Sequence, residues 1–423
     1  MFVSGIRSWV SAALLLIFTF VMVAQAKPAP VIKTPPPAFG SPLPNLSPAE
    51  LARFEAGKTS FEAVEGVSDG IGPVFNDTSC VACHKGMATG GGSDVLSVRF
   101  GARIEGAFDP LFDFGGPTIQ SKGIGPVGDV DFVGEIVPPQ ATIVTSRRAT
   151  QVFGLGLVDA VSDSTLESLA LWQLFTTPET AGQPNYVTDL RTGEHRVGRF
   201  GWKAQLASLY DFSGDAYKDE MGITVAGFSS PEQPGVITPF FPGDDGRLLS
   251  EENAPQGDET LLDDNPVDSP NEPDDEDLIL FTDFMTFLAP PPPVAKSTAA
   301  TRRGSRLFDD IGCAACHVPT LVTGYHESRA LQTQEFHPYS DFLLHDMGSL
   351  GDGIEQGVAT GTEMRTAPLW GLRTQPAYLH DGRAKTIEEA ILAHEGQGKK
   401  SRDCFSKLAK KKRQDVVEFL NSL

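Results

Sequence analysis

Cysteine is scarce in this chain: five in 423 residues, four of them confined to two five-residue stretches. Cysteines placed that way do not make a disulfide-stapled scaffold. Basic residues are outnumbered 34 to 55, giving a formal charge of -21 and a pI near 4.7. That balance argues against nucleic acid or an anionic membrane surface as partner; it allows a basic electron-transfer protein, and equally a charge that serves solubility alone. Beyond residue 26 no apolar run reaches the roughly 18 residues of a spanning helix, so the body is expected to avoid stable membrane insertion. The length is that of about two to three domains.

The apolar run that does occur is at the start. Arg7 precedes Trp9 to Val23, and Ala24-Gln25-Ala26 has the small-x-small pattern of a cleavage site. Residues 1–26 therefore read as a secretory signal, with an uncleaved anchor as the alternative. Export predicts a periplasmic protein.

The two cysteine stretches are Cys80-Val81-Ala82-Cys83-His84 and Cys313-Ala314-Ala315-Cys316-His317. Both are the C-x-x-C-H pattern of covalent haem c attachment. Each thiol adds to a vinyl group, and the histidine becomes the proximal iron ligand. Tetrahedral zinc wants a further close pair of ligands, and neither stretch has one. A redox dithiol requires neither the repeat nor the histidine. Two covalent haems, held by Cys80, Cys83, Cys313 and Cys316 and ligated by His84 and His317, are the expectation. Cys404 is left over and is expected to pack in a helix as a small buried apolar residue.

Proline and serine crowd residues 27–46, which read as an extended leader. Ser47 and Pro48 start a helix as N-cap and first residue. Glycine and proline fill residues 86–140 around strand-like pieces such as Val95 to Phe100. So long an irregular stretch suits the wall of a haem pocket. Asp163 to Glu167 looks like a helix start. Gly198 to Ala204 is an aromatic-basic island, expected to open a helix from Lys203 to Tyr210. There Trp202 reads as a haem-packing or electron-relay residue, with an arginine or lysine of the island near a haem carboxylate; an ordinary core contact is the alternative.

Residues 244–277 contain fourteen Asp or Glu and one basic residue, Arg247. They read as a flexible acidic loop; calcium takes such oxygens, but no ordered calcium-loop pattern is present. Asp277 to Leu288 is expected to be a helix, ended by Pro290 to Pro293, the best domain boundary. The division is 47–293 for an N-terminal haem domain and 294–423 for a C-terminal one. In the latter, Gly304 to Asp310 forms a helix leading to Cys313. Thr386 caps a helix from Ile387 to His394 with Glu389 as its capping-box partner, and residues 401–421 form one closing amphipathic helix.

The sixth iron position separates electron transfer from ligand chemistry. For the second iron His345, Met347, His380 and His394 are candidates. For the first, Met87, His195 and Met221 are candidates, and an open iron is equally consistent.

The two haem motifs, Tyr378 to Gly382 and Thr386 to His394 resemble the bacterial di-haem cytochrome c peroxidase superfamily, which includes the enzyme that matures tryptophan tryptophylquinone. Gly198 to Ala204, Glu220 to Thr224, Leu343 to Gly348 and Arg365 to Arg373 are similar to its di-haem oxidoreductase branch, also called thiol oxidoreductases. The resemblance covers roughly residues 45–421. It implies a mainly α fold of two cytochrome c-like domains with long irregular loops and an interface calcium. It also implies a peroxidatic first haem and a second haem fed by a small soluble donor of cytochrome or cupredoxin type. Where the peroxidases carry methionine and the quinone-maturing enzyme tyrosine, this chain has His394, which the resemblance makes the distal ligand of the second iron. The expected protein is a periplasmic di-haem c oxidoreductase of peroxidase type. A non-enzymatic electron carrier with both irons six-coordinate, or an oxidase of a protein or small molecule, is the alternative.

Overall fold

The end of the expected leader is not a loose extended segment, since Leu43 is buried and donates its N–H to Phe287 O at 2.7 Å. Ser47 then begins the first helix as the sequence suggests. Its hydroxyl accepts from Glu50 N and its own N–H donates to the Glu50 carboxylate, with Pro48 at the first helical position. In this computed structural model, residues 37–127, 130–223, 276–294 and 297–423 are described. The signal, much of the leader and nearly all of the acidic stretch lie outside them. The helices in chain order are α1 (Pro48–Glu62), α2 (Cys80–Cys83), α3 (Leu155–Asp159), α4 (Asp163–Thr176) and α5 (Leu209–Met221). Then come α6 (Glu276–Phe287), α7 (Ala299–Asp310), α8 (Ile387–Leu392), α9 (Lys399–Lys407) and α10 (Lys410–Leu420). The fold is mainly α, with several small antiparallel sheets. Pro36–Leu423 packs as one compact unit.

Two helix pairs carry the packing, and both use a glycine followed four residues later by a phenylalanine at the crossing. In the first, α1 lies on α6, buried through Phe54, Gly57 and Phe61, spaced to share one helical face. A Cβ on Gly57 would run into the Leu280 carbonyl and the Phe284 Cβ. In the second, α7 lies on α10, and a Cβ on Gly304 would run into the Asp415 carbonyl and the Phe419 Cβ. The phenylalanines are Phe61 and Phe308. Phe61 packs on Phe284 at 4.8 Å between centroids and Phe308 on Phe419 at 5.5 Å. Both crossings also carry an arginine–aspartate fork. Arg53 Nε donates to Asp283 Oδ2 at 2.7 Å, and Arg303 Nε to Asp415 Oδ2 at 2.8 Å. Overpacking such a contact costs about 1–3 kcal/mol, so neither crossing has room for a side chain.

The largest core cluster gathers α1, α3, α5 and α6 with Leu321, Phe336, Phe342 and Trp370. A second cluster joins Phe308, Ile387, Phe405, Val416 and Phe419 around the second cysteine motif. The strand-like piece after residue 95 is Leu96–Ile104, the centre of an antiparallel sheet. It pairs with Ala107–Asp109, Thr118–Ile119 and Ile143–Arg148, and its register sets Leu96 opposite Arg148.

Two expectations need correction. Lys203 to Tyr210 is not a helix: residues 201–204 form turns, with Gly201 at φ +76° and Ala204 at φ +51°. The helix starts only at Leu209, because Ser208 caps it by accepting from Asp211 N at 3.1 Å. The closing helix is likewise two helices, broken at Leu408–Ala409, where the backbone is extended. Arg413 donates to the Ser406 and Leu408 carbonyls at 3.4 and 3.2 Å and so satisfies acceptors freed by the break. No helix among the described residues is long and apolar enough to cross a membrane.

Candidate functional site

Each cysteine motif folds as a single tight turn. Ser79 caps α2, and His84 N donates to Cys80 O at 3.0 Å. At the second motif a 3-10 turn spans Cys313–Ala315, and His317 N donates to Cys313 O at 3.0 Å. All four motif cysteines are free, and so is Cys404, which lies in a helix as expected but is exposed rather than buried. Burial, helped by Glu65, pushes the Cys80 thiol up to about 12; burial with Glu220 nearby pushes Cys83 to about 11. Burial beside Cys316 takes Cys313 to about 12. Protonated thiols of this kind are the opposite of an activated redox dithiol.

The histidines are held neutral, as iron ligands must be. Burial pulls His84 down to about 4, with the Thr150 backbone opposing. Burial and the neighbouring His394 take His317 to about 4. Phe61 packs against His84 at 6.1 Å and Phe308 against His317 at 6.4 Å, so the helix ahead of each motif supports its histidine through equivalent residues.

Both motifs wall one continuous cavity of about 470 Å³. His317 and His394 face each other there, with centroids 6.4 Å apart. Their Nδ1 atoms are tied to backbone carbonyls, His317 to Tyr339 O at 3.0 Å and His394 to Ala390 O at 2.8 Å. Each ring therefore carries its proton on Nδ1 and leaves Nε2 as a lone-pair donor. With metal–imidazole bonds of about 2 Å, two rings on one metal have centroids about 6 Å apart. This donor pair fits an iron, and the tight turns with free thiols fit covalent attachment. Helix α8 opens with the expected Thr386–Glu389 capping box and ends at Leu392, so His394 lies just past its end.

The other candidates fall elsewhere. His345 is consumed: Nε2 meets Asp341 Oδ2 at 2.9 Å and Nδ1 meets Cys316 Sγ at 3.5 Å. Burial opposes its charge, but Asp341 raises its pKa well above the usual histidine value. His380 lines the cavity beside Trp202, at 6.2 Å between rings. Met347 stands next to His394, both touching Gly398. On the first side Met87 is 65% exposed and His195 is exposed on a surface strand, whereas Met221 is buried and lines the cavity.

Trp202 also lines the cavity, its indole N–H donating to Arg148 O at 3.2 Å. The basic residues of its island are committed to protein groups. Arg199 bonds Asp163 and the Val197, Asp159 and Val161 carbonyls. Lys203 bonds Asp352 and the Thr360 and Glu363 carbonyls. Neither retains a donor for a haem carboxylate.

Sequence reasoning missed an acidic wall on α5. Asp215, Asp219 and Glu220 line the cavity together with Arg99. Asp219 bonds Arg99 at 2.9 Å and Thr118 at 3.0 Å. Burial, reinforced by Asp219, raises Asp215 to about 6. The four-residue spacing of Asp215 and Asp219, one helix face, was the available signal. Among the described residues the one three-member cluster of metal-ligand type is Cys316, Asp341 and His345. It is not the oxygen cage calcium takes.

A family model described as "Di-haem oxidoreductase, putative peroxidase" matches residues 139–423. The matched part holds Trp202, the second motif and His394; the first motif precedes it. No curated protein matches the chain. Among solved structures, hydrazine synthase of Kuenenia stuttgartiensis is 14% identical over 99% of this chain and 100% of that one, with a TM-score of 0.36. The diheme peroxidase BthA from Burkholderia thailandensis is 12% identical over 89% of this chain and 86% of that one, with a TM-score of 0.38. Likenesses this low carry no argument about mechanism.

Proposed function

The chain belongs to the di-haem oxidoreductase family, and on that premise we propose a periplasmic di-haem c oxidoreductase of peroxidase type, reducing a peroxide at the first haem with electrons relayed through the second. The observation that carries this reading is that both C-x-x-C-H motifs open onto one cavity that Trp202 also lines. Cys80 and Cys83 would hold the first haem and Cys313 and Cys316 the second, with His84 and His317 as iron ligands. When bound, these groups supply the iron and the electron storage. The matched crossings of α1 on α6 and α7 on α10 support two cytochrome c-like units, 47–293 and 294–423, each closed by a helix that packs on the one before its motif. The net charge of -21 supports a small soluble, basic electron donor of cytochrome or cupredoxin type.

Division of labour follows from the side chains. His317 and His394 would together hold the second iron and so would leave no place on it for substrate. The first side has a proton-handling wall instead. Asp215, raised by burial, is poised to take a proton from a bound peroxide, and Arg99 neutralises Asp219 beside it. Only the ionised carboxylate acts as base, so peroxide turnover is expected to rise as pH passes through about 6. Asp215→Asn should abolish that limb and cost about 10²–10⁴-fold in rate. Steady-state peroxide reduction, after one-electron reduction of the protein, measures both; a rate indifferent to pH and to the substitution removes Asp215 from the chemistry.

Met221 supports one rival reading, since a thioether lining the cavity near the first motif would close that iron too and leave an electron carrier. EPR decides: a high-spin ferric component with peroxide turnover supports the enzyme, while two low-spin haems without turnover support the carrier.

Trp202 is proposed as the relay between the haems. Trp202→Phe keeps most of the packing, loses the indole hydrogen bond and makes the ring harder to oxidise. Interhaem transfer is expected to slow about tenfold, about 1.4 kcal/mol on its barrier, with both haem spectra unchanged. Flash-photolysis kinetics equal to wild type would make Trp202 a core residue only.

A further inference from the structure

Four cations along the cavity wall and its support are neutralised by protein carboxylates. Arg99 pairs with Asp219, Arg147 and Lys203 with Asp352, and Arg199 with Asp163. Two cavity-lining arginines are not: among the described residues no carboxylate lies within ion-pair distance of Arg148 or Arg365. Arg148 is buried. Its Nη1 donates to Gln375 Oε1 at 2.8 Å and Ser93 O at 3.2 Å, while its Nε is buried without a partner. Arg365 donates from Nε to Gly201 O at 2.6 Å and from Nη1 to Thr366 O at 3.0 Å, which leaves Nη2. The surface it exposes is turned to the cavity it lines. Burial draws Arg365 down to about 10, only partly offset by Asp341, and burial lowers Arg148 as well.

An uncompensated buried charge is costly unless an anion arrives to pair with it. The planar guanidinium suits a carboxylate, which it meets with two parallel hydrogen bonds. Location assigns each arginine to one motif. Arg148 is two residues from Thr150, whose backbone adjoins His84. Arg365 sits over the Phe342 ring at 5.7 Å, and neighbouring Asp341 donates its N–H to Cys316 O at 3.0 Å. Trp202 joins the two: its indole donates to Arg148 O, and its own carbonyl accepts from Arg365 N at 2.9 Å.

We propose that Arg148 and Arg365 are the counter-ions of the haem carboxylates, Arg148 for the haem of the first motif and Arg365 for that of the second, with Trp202 bracing both. The inference rests on the di-haem reading. Each arginine then acts as a positioning residue: it holds a carboxylate ionised and favours the ferrous state of the iron it faces.

The test uses full-length protein produced with haem attachment, intact mass first and then a spectroelectrochemical titration at several pH values. Arg365→Gln should retain two haems. The second haem's ferrous-to-ferric ratio at a fixed potential should fall at least about tenfold, about 59 mV for one electron. Its potential should also acquire a pH dependence as the released carboxylate titrates. Arg365→Lys keeps the charge and should hold the wild-type potential. Arg148→Gln should displace the first haem alone. A wild-type mass without haem overturns the di-haem reading and this inference with it. Two attached haems with unmoved potentials overturn the arginine assignment alone. So does a lysine variant displaced as far as the glutamine one, which assigns the effect to packing.

Discussion

Protein made in a host competent for haem c attachment is expected to carry two haems that survive denaturation in intact-mass measurements. The paired substitutions Cys80→Ala with Cys83→Ala, or Cys313→Ala with Cys316→Ala, should each remove one of them. The consequence for folding should be as large as the consequence for chemistry. A cavity of about 470 Å³ left empty costs on the order of 10 kcal/mol at about 24 cal/mol per Å³. That is comparable to the entire stability of an ordinary domain, about 5–15 kcal/mol. The chain is therefore expected to need its prosthetic groups to fold, as metal-dependent small domains do. A variant lacking both haems should show no cooperative thermal transition, and each single-motif variant should melt well below wild type. An apo chain that melts cooperatively near the wild-type temperature would mean that the cavity collapses without cost, and that the walls do not exist for a resident group.

Local signals were legible in the sequence and distant ones were not. Ser47, Pro48 and Glu50 announce α1, and Thr386 with Glu389 announces α8, because a cap is made by residues three apart. The helix expected from Asp277 to Leu288 is α6 within one residue at either end, and the one expected from Gly304 begins earlier, where Thr298 caps it. The failures are long-range. Nothing near Lys203 shows that its ammonium is spent on Asp352, or that Ala204 takes a left-handed turn rather than a helix. Gly57 and Gly304 look like weak points in helices until the partner helix is laid across them. The expectation of a cation of the Trp202 island near a haem carboxylate meets an arginine and a lysine already bonded to protein groups. Arg199 and Lys203 are saturated, and the unpaired arginines come from a strand end and from the segment after residue 363, joined only through the tryptophan.

The repeated geometry also bears on how the two halves came to differ. The helix crossings, the phenylalanine behind each histidine and the tight cysteine turn are common to both. What differs is what else lines the cavity. On the second side a short helix delivers an imidazole, while on the first α5 presents carboxylates and Arg99. One scaffold thus sets an imidazole pair at one motif and carboxylates with an arginine elsewhere in the same cavity wall.

That imidazole pair gives the second large expected effect. His394 faces His317 across 6.4 Å with its Nδ1 tied to the Ala390 carbonyl, and burial, with Arg402 nearby, keeps the ring neutral. Of the other residues first considered, His345 is spent on Asp341 and Cys316, and His380 stands beside Trp202. Only Met347 shares the His394 position, with its Cε and the His394 ring both packed on Gly398. His394→Met should leave the second haem low-spin and raise its potential on the order of 100 mV, within the roughly 0.8 V that axial ligation spans, because a thioether favours ferrous iron more than imidazole does. His394→Ala should either open the iron, giving a high-spin ferric signal, or recruit Met347, giving a low-spin haem of raised potential. The double variant His394→Ala with Met347→Ala removes the substitute and should be high-spin. EPR and a redox titration of the second haem read all three. A signature and potential unchanged in His394→Met and His394→Ala would take the histidine out of the iron's coordination and leave Met347 as the ligand to test alone.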